Sequence, residues 1–418
     1  MYFTRRSVNP KSPLREILHP AVLVGALGYF VDIYDLTLFG IVRVASLGAL
    51  GLAGEALVNH GIWLQNTQMI GMLVGGLLFG VLGDRKGRLT VLFGSILLYS
   101  IANLLNGAIT SLPQYYILRF LAGVGLAGEI GGSITLVSEV LSKQNRGYGT
   151  MLVATVGVSG AVLGAFVAKM TDWRVAYYIG GAMGLVLLLL RMSVAESGMF
   201  KAMERSHALP RGQFFTLFTN RDRFSKYVRC ILIGLPSWFV VGILGLLSPE
   251  LGKELKIGSP VVAGTSIMLI YVGLTIGDLA SGVLSQLLRS RKRVVLGFML
   301  LTLAGIVLYF TSHGRSATWF YGVMLLTGIG IGYWALFVTI AAEQFGTNIR
   351  ATVATTVPNF VRASLIVNSI AFQWLAGAFG NKLHAGLVVG SITLAISLWA
   401  LSGLEETFGK DLDYLEPS

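Results

Sequence analysis

Charge is what this sequence has least of. Only 12% of its 418 residues are Asp, Glu, Lys or Arg, while 54% are hydrophobic. That is about half the charged share of a soluble domain. Too little polar surface remains to cover a water-facing globule, and lipid is the solvent that fits. Cysteine is nearly absent: Cys230 stands alone in an apolar run, which excludes an intrachain disulfide or a cysteine-built metal centre. No P-loop, metal-spaced His/Glu pair or nucleophile elbow occurs, and no soluble domain is present to hold such a site, so no enzyme and no metal site are expected. The segment Met1 to Arg15 is basic and leads into no short apolar stretch with a small-residue cleavage site, so no signal peptide is expected.

What is there is apolar length. Crossing a bilayer takes about 20 apolar residues. Runs of that kind are expected at 20–45, 62–83, 90–110, 113–140, 148–169 and 172–194, and again at 227–248, 260–288, 294–311, 317–342, 351–378 and 383–403. This reading makes residues 1–194 an N-terminal six-helix bundle, 195–226 a connector, 227–403 a C-terminal six-helix bundle and 404–418 a tail. The formal charge of +12 does not point to nucleic acid, because the basic residues cluster in short loops between the runs. Arg5, Arg6, Lys11 and Arg15 precede the first run; Arg85, Lys86 and Arg88 follow the second; Lys143 and Arg146 follow the fourth. More fill the connector, and Arg289, Arg291, Lys292 and Arg293 follow the eighth. The alternate loops hold scattered charges only. Cytoplasmic termini, an even number of spans and a bacterial inner membrane are the expectation.

The halves repeat. Glu139 and Arg146 recur as Glu343 and Arg350 (343 − 139 = 204), and Gly80 to Arg88 recurs as Gly282 to Arg291 (282 − 80 = 202). Gly123-Val124-Gly125 is matched by Gly328-Ile329-Gly330. A parallel repeat of this kind places a substrate site near mid-membrane between the halves.

Gly80-Val81-Leu82-Gly83-Asp84-Arg85-Lys86-Gly87-Arg88 resembles the signature loop of the major facilitator superfamily. The resemblance implies an all-α fold of twelve transmembrane helices in two pseudo-symmetric six-helix bundles, working by alternating access. It also implies a cytoplasmic gate made of Asp84, Arg85 and Arg88 with the Glu139–Arg146 and Glu343–Arg350 pairs. Asp84 would sit at a helix N-terminus, where the dipole favours negative charge. In the second copy Gln286 stands where the aspartate would be, so that half should latch less strongly. Taken singly, each acid–base pair also reads as a solvated interfacial pair worth under about 1 kcal/mol.

Charges inside the spans are functional candidates by default. Asp32-Ile33-Tyr34-Asp35 in span one, Arg119 and Gly128-Glu129-Ile130-Gly131-Gly132 in span four, and the terminal Glu405-Glu406-Thr407-Phe408-Gly409 resemble the proton-coupled sugar, phosphate and metabolite symporter branches. That resemblance implies that Asp35 pairs with Arg119, and that protonating Asp35 or Asp32 releases Arg119; a static pair fixing helix packing is the alternative. Asp32, Asp35, Arg119 and Glu129 are thus the proton-coupling set. Arg362, just beyond Pro358 and Asn359 in span eleven, suits a substrate carboxylate or phosphate, or else neutralises Asp278 or another acid. Trp238, Tyr333, Trp334, Asn359 and Gln65 are candidates for the cavity wall, with packing as the other reading of the aromatics.

The mixture of buried acids and bases favours an organic acid or amino acid over a neutral sugar. The expectation is a monomeric symporter importing a small polar metabolite, with a proton gradient and no cofactor as its energy source. The alternatives are an exporter of a drug or siderophore, or a non-transporting sensor on the same fold. The missing Gly-Pro core in span five, around Gly157, Gly160 and Gly164, weighs against drug/proton efflux.

Overall fold

A computed structural model of the chain describes residues 20–86, 88–128, 146–196 and 217–409. Between short turns these are helical, as backbone facing hydrocarbon must satisfy its own hydrogen bonds. Spans one to six are Pro20–Ala49, Gly54–Lys86, Arg88–Gly107, Leu112–Leu126, Arg146–Met170 and Trp173–Glu196. Span seven is built of Arg221–Leu232, Leu235–Phe239 and a π-helical turn Val240–Gly245, and the short helix Ser248–Glu254 follows it. Spans eight and nine are Ala263–Leu287 and Arg291–Phe310, and span ten is Ala317–Gly330 followed by Trp334–Glu343. Spans eleven and twelve are Thr347–Phe379 and Lys382–Ser402. Among the described residues nine helices are long and apolar enough to cross a membrane, and Leu92–Gly107 and Thr155–Met170 add two shorter apolar ones. With Leu112–Leu126 they fall at the twelve predicted places.

Several boundaries differ from expectation, for local reasons. Span two starts at Gly54 and runs on through the signature stretch to Lys86, so Gly80–Lys86 is helix and not loop. Glu55 in its first turn suits the dipole, which lets the polar residues Asn59 and His60 join the helix. Span seven starts at Arg221 because the Asn220 side chain accepts the N–H groups of Asp222 and Arg223. Residues 221–226, expected in the connector, are therefore helical. Span seven is interrupted beside Gly234 and Pro236, and span ten between Gly330 and Trp334. Pro358 sits within span eleven without breaking it.

Close glycine contacts pack the helices and repeat between the halves. A Cβ on Gly71 or Gly123 would lie 2.2 Å from the Phe120 carbonyl oxygen or 2.1 Å from that of Gln68, so spans two and four touch backbone to backbone. Gly273 (273 − 71 = 202) and Gly328 do the same for spans eight and ten, against Leu325 and Ile270 at 2.2 and 2.3 Å. Small residues let membrane helices approach in this way. Span one is the most enclosed, with 78% of its apolar window buried. It packs on spans five and six and also on span eight, which puts it at the seam between the first six and the last six spans. The end of the bundle that carries Lys86, Arg221 and Arg291 is called the basic end below.

Candidate functional site

Span one presents two faces, and its polar residues divide between them. Tyr29, Asp32, Leu36, Gly40 and Arg43 recur at three- and four-residue spacing and look across the seam. Arg362 Nη2 donates to Asp32 Oδ2 at 3.2 Å, with side chains 1% and 0% exposed. A Cβ on Gly40 would lie 2.9 Å from Ile267 Cδ1. Arg43 donates to both Glu250 oxygens at 2.7 and 2.8 Å and to the Leu246 carbonyl at 3.0 Å. Every one of these partners belongs to the last six spans.

Asp35 looks the other way. Each three-residue step falls about 60° short of a full turn, so Asp35, two such steps from Tyr29, has turned from the seam face toward span six. Asp35 Oδ1 would lie 2.4 Å from a Cβ on Gly180, in span six. Neither Asp35 oxygen has a hydrogen-bond partner among the described residues; Asn103 is beside it, with Arg119 and Asp32 within electrostatic reach. The expected Asp35–Arg119 ion pair is absent among the described residues. Arg119 instead donates from Nη2 to Gln68 Oε1, and its guanidinium lies 4.8 Å from the centre of the Phe39 ring. Nearby, the Tyr115 and Tyr177 hydroxyls meet at 2.8 Å and Ser46 reaches Tyr115 at 3.1 Å. Asp35 and Arg119 thus both lie inside the first six spans, without the direct pairing that the resemblance implies. The cross-seam pair is Asp32–Arg362.

Arg362 does pair with an internal acid, and that acid is Asp32 and not Asp278. Asp278 Oδ1 accepts the N–H of Ala335 at 3.0 Å instead. Arg362 is 1% exposed, and its Nε and Nη1 are buried without a hydrogen-bond partner. Two donors beyond the one used by Asp32 are therefore left at the seam. Tyr29 and Tyr271 lie within electrostatic reach of both Asp32 and Arg362.

The other expected wall residues separate. Trp238 and Gln65 line one small cleft between the halves, with Leu36, Thr37, Gly40 and Ile267. Asn359 comes within 3.7 Å of a Cβ built on Gly76, across the seam. Trp334 stacks edge-on against Phe337 at 4.9 Å, and its indole approaches the Tyr29 hydroxyl. Tyr333 does not face the seam: it is fully buried, and its hydroxyl donates to the Ile233 carbonyl at 2.9 Å, tying span ten to span seven.

At the basic end Glu343 keeps Arg350 within electrostatic reach, but its direct partner is another arginine. Glu343 accepts from Arg291 at 2.7 Å, whereas Arg350 donates to the Ala342 and Phe345 carbonyls at 3.2 and 3.3 Å. Span ten ends at Glu343, so those carbonyls have no helical partner and a cation satisfies them. Glu129 and Glu139 lie outside the described residues, as do the side chains of Asp84, Arg85, Arg88 and Arg146.

Sequence reasoning passed over Arg43, Glu250, Tyr29 and Tyr271. Arg43 carried a signal, because an arginine within an apolar span is a functional candidate. Tyr29 stands three residues before Asp32 and shares its face. Glu250 lies in the short helix Ser248–Glu254, and a single acid just beyond the end of an apolar run signals nothing.

The profile of the Major Facilitator Superfamily matches residues 25–366. The niacin transporter NiaP of Acinetobacter baylyi is 24% identical over 96% of this chain and 97% of its own length. The 3-(3-hydroxy-phenyl)propionate transporter of Escherichia coli is 27% identical over 69% of this chain and 71% of its own. Among solved structures, the proton:xylose symporter XylE shares the fold, with a TM-score of 0.68 and 16% identity over 94% of this chain and 97% of that one. The chain belongs to the Major Facilitator Superfamily: it is a multi-pass membrane transporter of small molecules, and not an enzyme.

Proposed function

We propose that this chain is a proton-coupled importer of a small organic anion, with an aromatic monocarboxylate as the substrate class. The observation that carries the reading is Arg362, buried at the seam with Nε and Nη1 unpartnered beside the bond to Asp32. A guanidinium binds a carboxylate through two parallel N–H bonds, one of them from Nη2, so a carboxylate substrate would take the donor that Asp32 holds together with one of the free ones. Tyr29, Tyr271, Trp334 and Trp238 supply flat apolar surface for a ring. Niacin and 3-(3-hydroxyphenyl)propionate, transported by two relatives, are both aromatic monocarboxylates.

In this mechanism Asp32 and the substrate compete for Arg362. Protonation of Asp32 removes its claim on the guanidinium, and the substrate carboxylate takes the vacated Nη2 together with a neighbouring free donor. Proton and anion thus load together, and the closed cleft carries no added charge through the switch. Asp35, deeper in the first six spans, is assigned to a second protonation step. The basic end faces the cytoplasm, so the proton gradient drives uptake.

The test is uptake of radiolabelled nicotinate and benzoate into proteoliposomes, with and without an inward proton gradient. Gradient-stimulated accumulation is expected for at least one of them. Competition by xylose, phosphate or a neutral amino acid, with no competition by aromatic acids, would overturn the substrate class. Accumulation indifferent to the gradient would overturn the coupling.

A further inference from the structure

Span ten is broken in mid-course, and a residue of another helix closes the break. Helix Ala317–Gly330 stops, and Trp334–Glu343 starts with no side-chain cap of its own. A helix start leaves its first N–H groups without partners, and in an apolar interior each is costly to leave bare. Asp278 of span eight meets that need. Its Oδ1 accepts the Ala335 N–H at 3.0 Å, and the Trp334 N–H is directed at the same carboxylate.

The glycines beside the break explain how Asp278 gets there. A Cβ on Gly332 would lie 2.4 Å from Gly277 Cα, and one on Gly277 would lie 2.7 Å from Gly332 Cα. The two backbones touch at Gly277 and Gly332, and the next residue along span eight is the aspartate. Trp334 is the first residue of the capped helix. Its indole approaches the Tyr29 hydroxyl, and Tyr29 is one turn from Asp32 on the seam face of span one.

We propose that Asp278 is a positioning residue for the transport site: by capping the second segment of span ten it holds the Trp334 indole against Tyr29 at the seam. Its contribution comes from where its oxygen sits and not from its charge. The importance of Trp334 for substrate rests on the function proposed above; the capping itself does not.

The experiment is fluorine NMR of the full chain labelled with 5-fluorotryptophan, with the Trp334 resonance assigned by its loss in Trp334→Phe. Asp278→Asn keeps a carbonyl oxygen in place without the charge, and its Trp334 resonance should stay within the linewidth. Asp278→Glu keeps the charge but moves the oxygens by one methylene, and should shift or broaden that resonance, as should Asp278→Ala. Both conservative variants retain a polar group at the break, so the result does not depend on Asp278→Ala folding. A moved resonance in Asp278→Asn overturns the proposal, and so does an unmoved one in Asp278→Glu. In nicotinate uptake, Asp278→Asn should keep KM within about twofold and Asp278→Ala should raise it about tenfold or more, the effect of leaving the buried N–H donors of the break unsatisfied. If the wild type does not take up nicotinate, the substrate assignment fails while the resonance still judges the cap.

Discussion

Arg362 in span eleven donates to Asp32 in span one at 3.2 Å, and 330 residues of chain separate two side chains that are 1% and 0% exposed. Removing one member leaves the other as a buried charge, which costs about 3–5 kcal/mol where no water replaces the lost partner. Arg362→Gln alone should therefore lower the melting temperature of the detergent-solubilised protein clearly. The Asp32→Asn/Arg362→Gln double variant should recover most of that loss. If the double variant melts no higher than Arg362→Gln, the two groups are not energetically coupled.

The same pair predicts a split in function. Asp32→Asn mimics the protonated acid permanently, so gradient-driven accumulation of nicotinate should disappear while exchange across the membrane continues. Accumulation at the wild-type level would move proton coupling away from Asp32, to Asp35 in the first instance.

The fold was largely legible in the sequence because its causes are local. Apolar length, charge clusters and the motifs Gly123-Val124-Gly125 and Gly328-Ile329-Gly330 are each read within a few residues. The site was legible in its inventory but not in its pairing. Asp32 and Asp35 look equivalent in a sequence. Only the angle of span one against its neighbours sends one across the seam to Arg362 and the other inward toward Gly180. Likewise, the repeated Glu–Arg spacing marks Glu343 and Arg350 as related. It says nothing of Arg291, the first residue of span nine, which meets the end of span ten and pairs with Glu343 there. The breaks in spans seven and ten follow from Pro236 and from the Gly330–Gly332 run, yet the partner that closes the second one, Asp278, comes from another helix.

Away from the basic end, Arg43 holds Glu250 with two bonds, at 2.7 and 2.8 Å, across the same seam. Arg43 is fully buried, and Gly61 makes room for it: a Cβ there would lie 2.6 Å from Arg43 Cδ. This contact closes that end of the cleft. Hydrogen bonds to charged groups contribute about 1.5–3 kcal/mol, so Glu250→Gln should raise the population open at that end by roughly tenfold or more. Spin labels at exposed Ala56 and Ser259, in a Cys230→Ser background, should report a longer distance component. A distribution identical to that of the unmutated background would mean that packing alone, and not this pair, keeps the end shut.

The glycine contacts between spans two and four predict a sharp contrast of position. Gly123→Ala places a methyl 2.1 Å from the backbone oxygen of Gln68, and backbone cannot yield as a flexible side chain can. Overpacking of this kind typically costs about 1–3 kcal/mol, and here it also pushes Arg119 and Gln68 apart. Gly282→Ala meets nothing within 4 Å, and should be neutral or slightly stabilising within a helix. Thermal unfolding of the two variants side by side measures the difference. Equal melting temperatures would show that spans two and four do not approach as closely as described.

Glu406, beyond the last span, ties the end of the described chain to the basic end. It accepts from the Ser290 hydroxyl at 2.5 Å and from the N–H groups of Arg291, Lys292 and Phe408 at 3.0, 3.2 and 3.1 Å. Burial pushes its carboxyl up, but these donors outweigh burial and hold it below the usual 4.5. A group depressed by docking stabilises the docked form above its free value, and that stabilisation is lost as pH falls through the docked one. The segment Leu404–Phe408 should therefore stay docked from neutral pH down to about 4.5 and release below it. Amide hydrogen exchange at Arg291 and Lys292, corrected for the intrinsic pH dependence, should show protection falling only in that acid range. Glu406→Gln cannot titrate, so it should give weaker protection that no longer varies with pH. Were the Gln variant to lose protection over the same acid range as the wild type, another carboxylate would have to be the group that releases the segment.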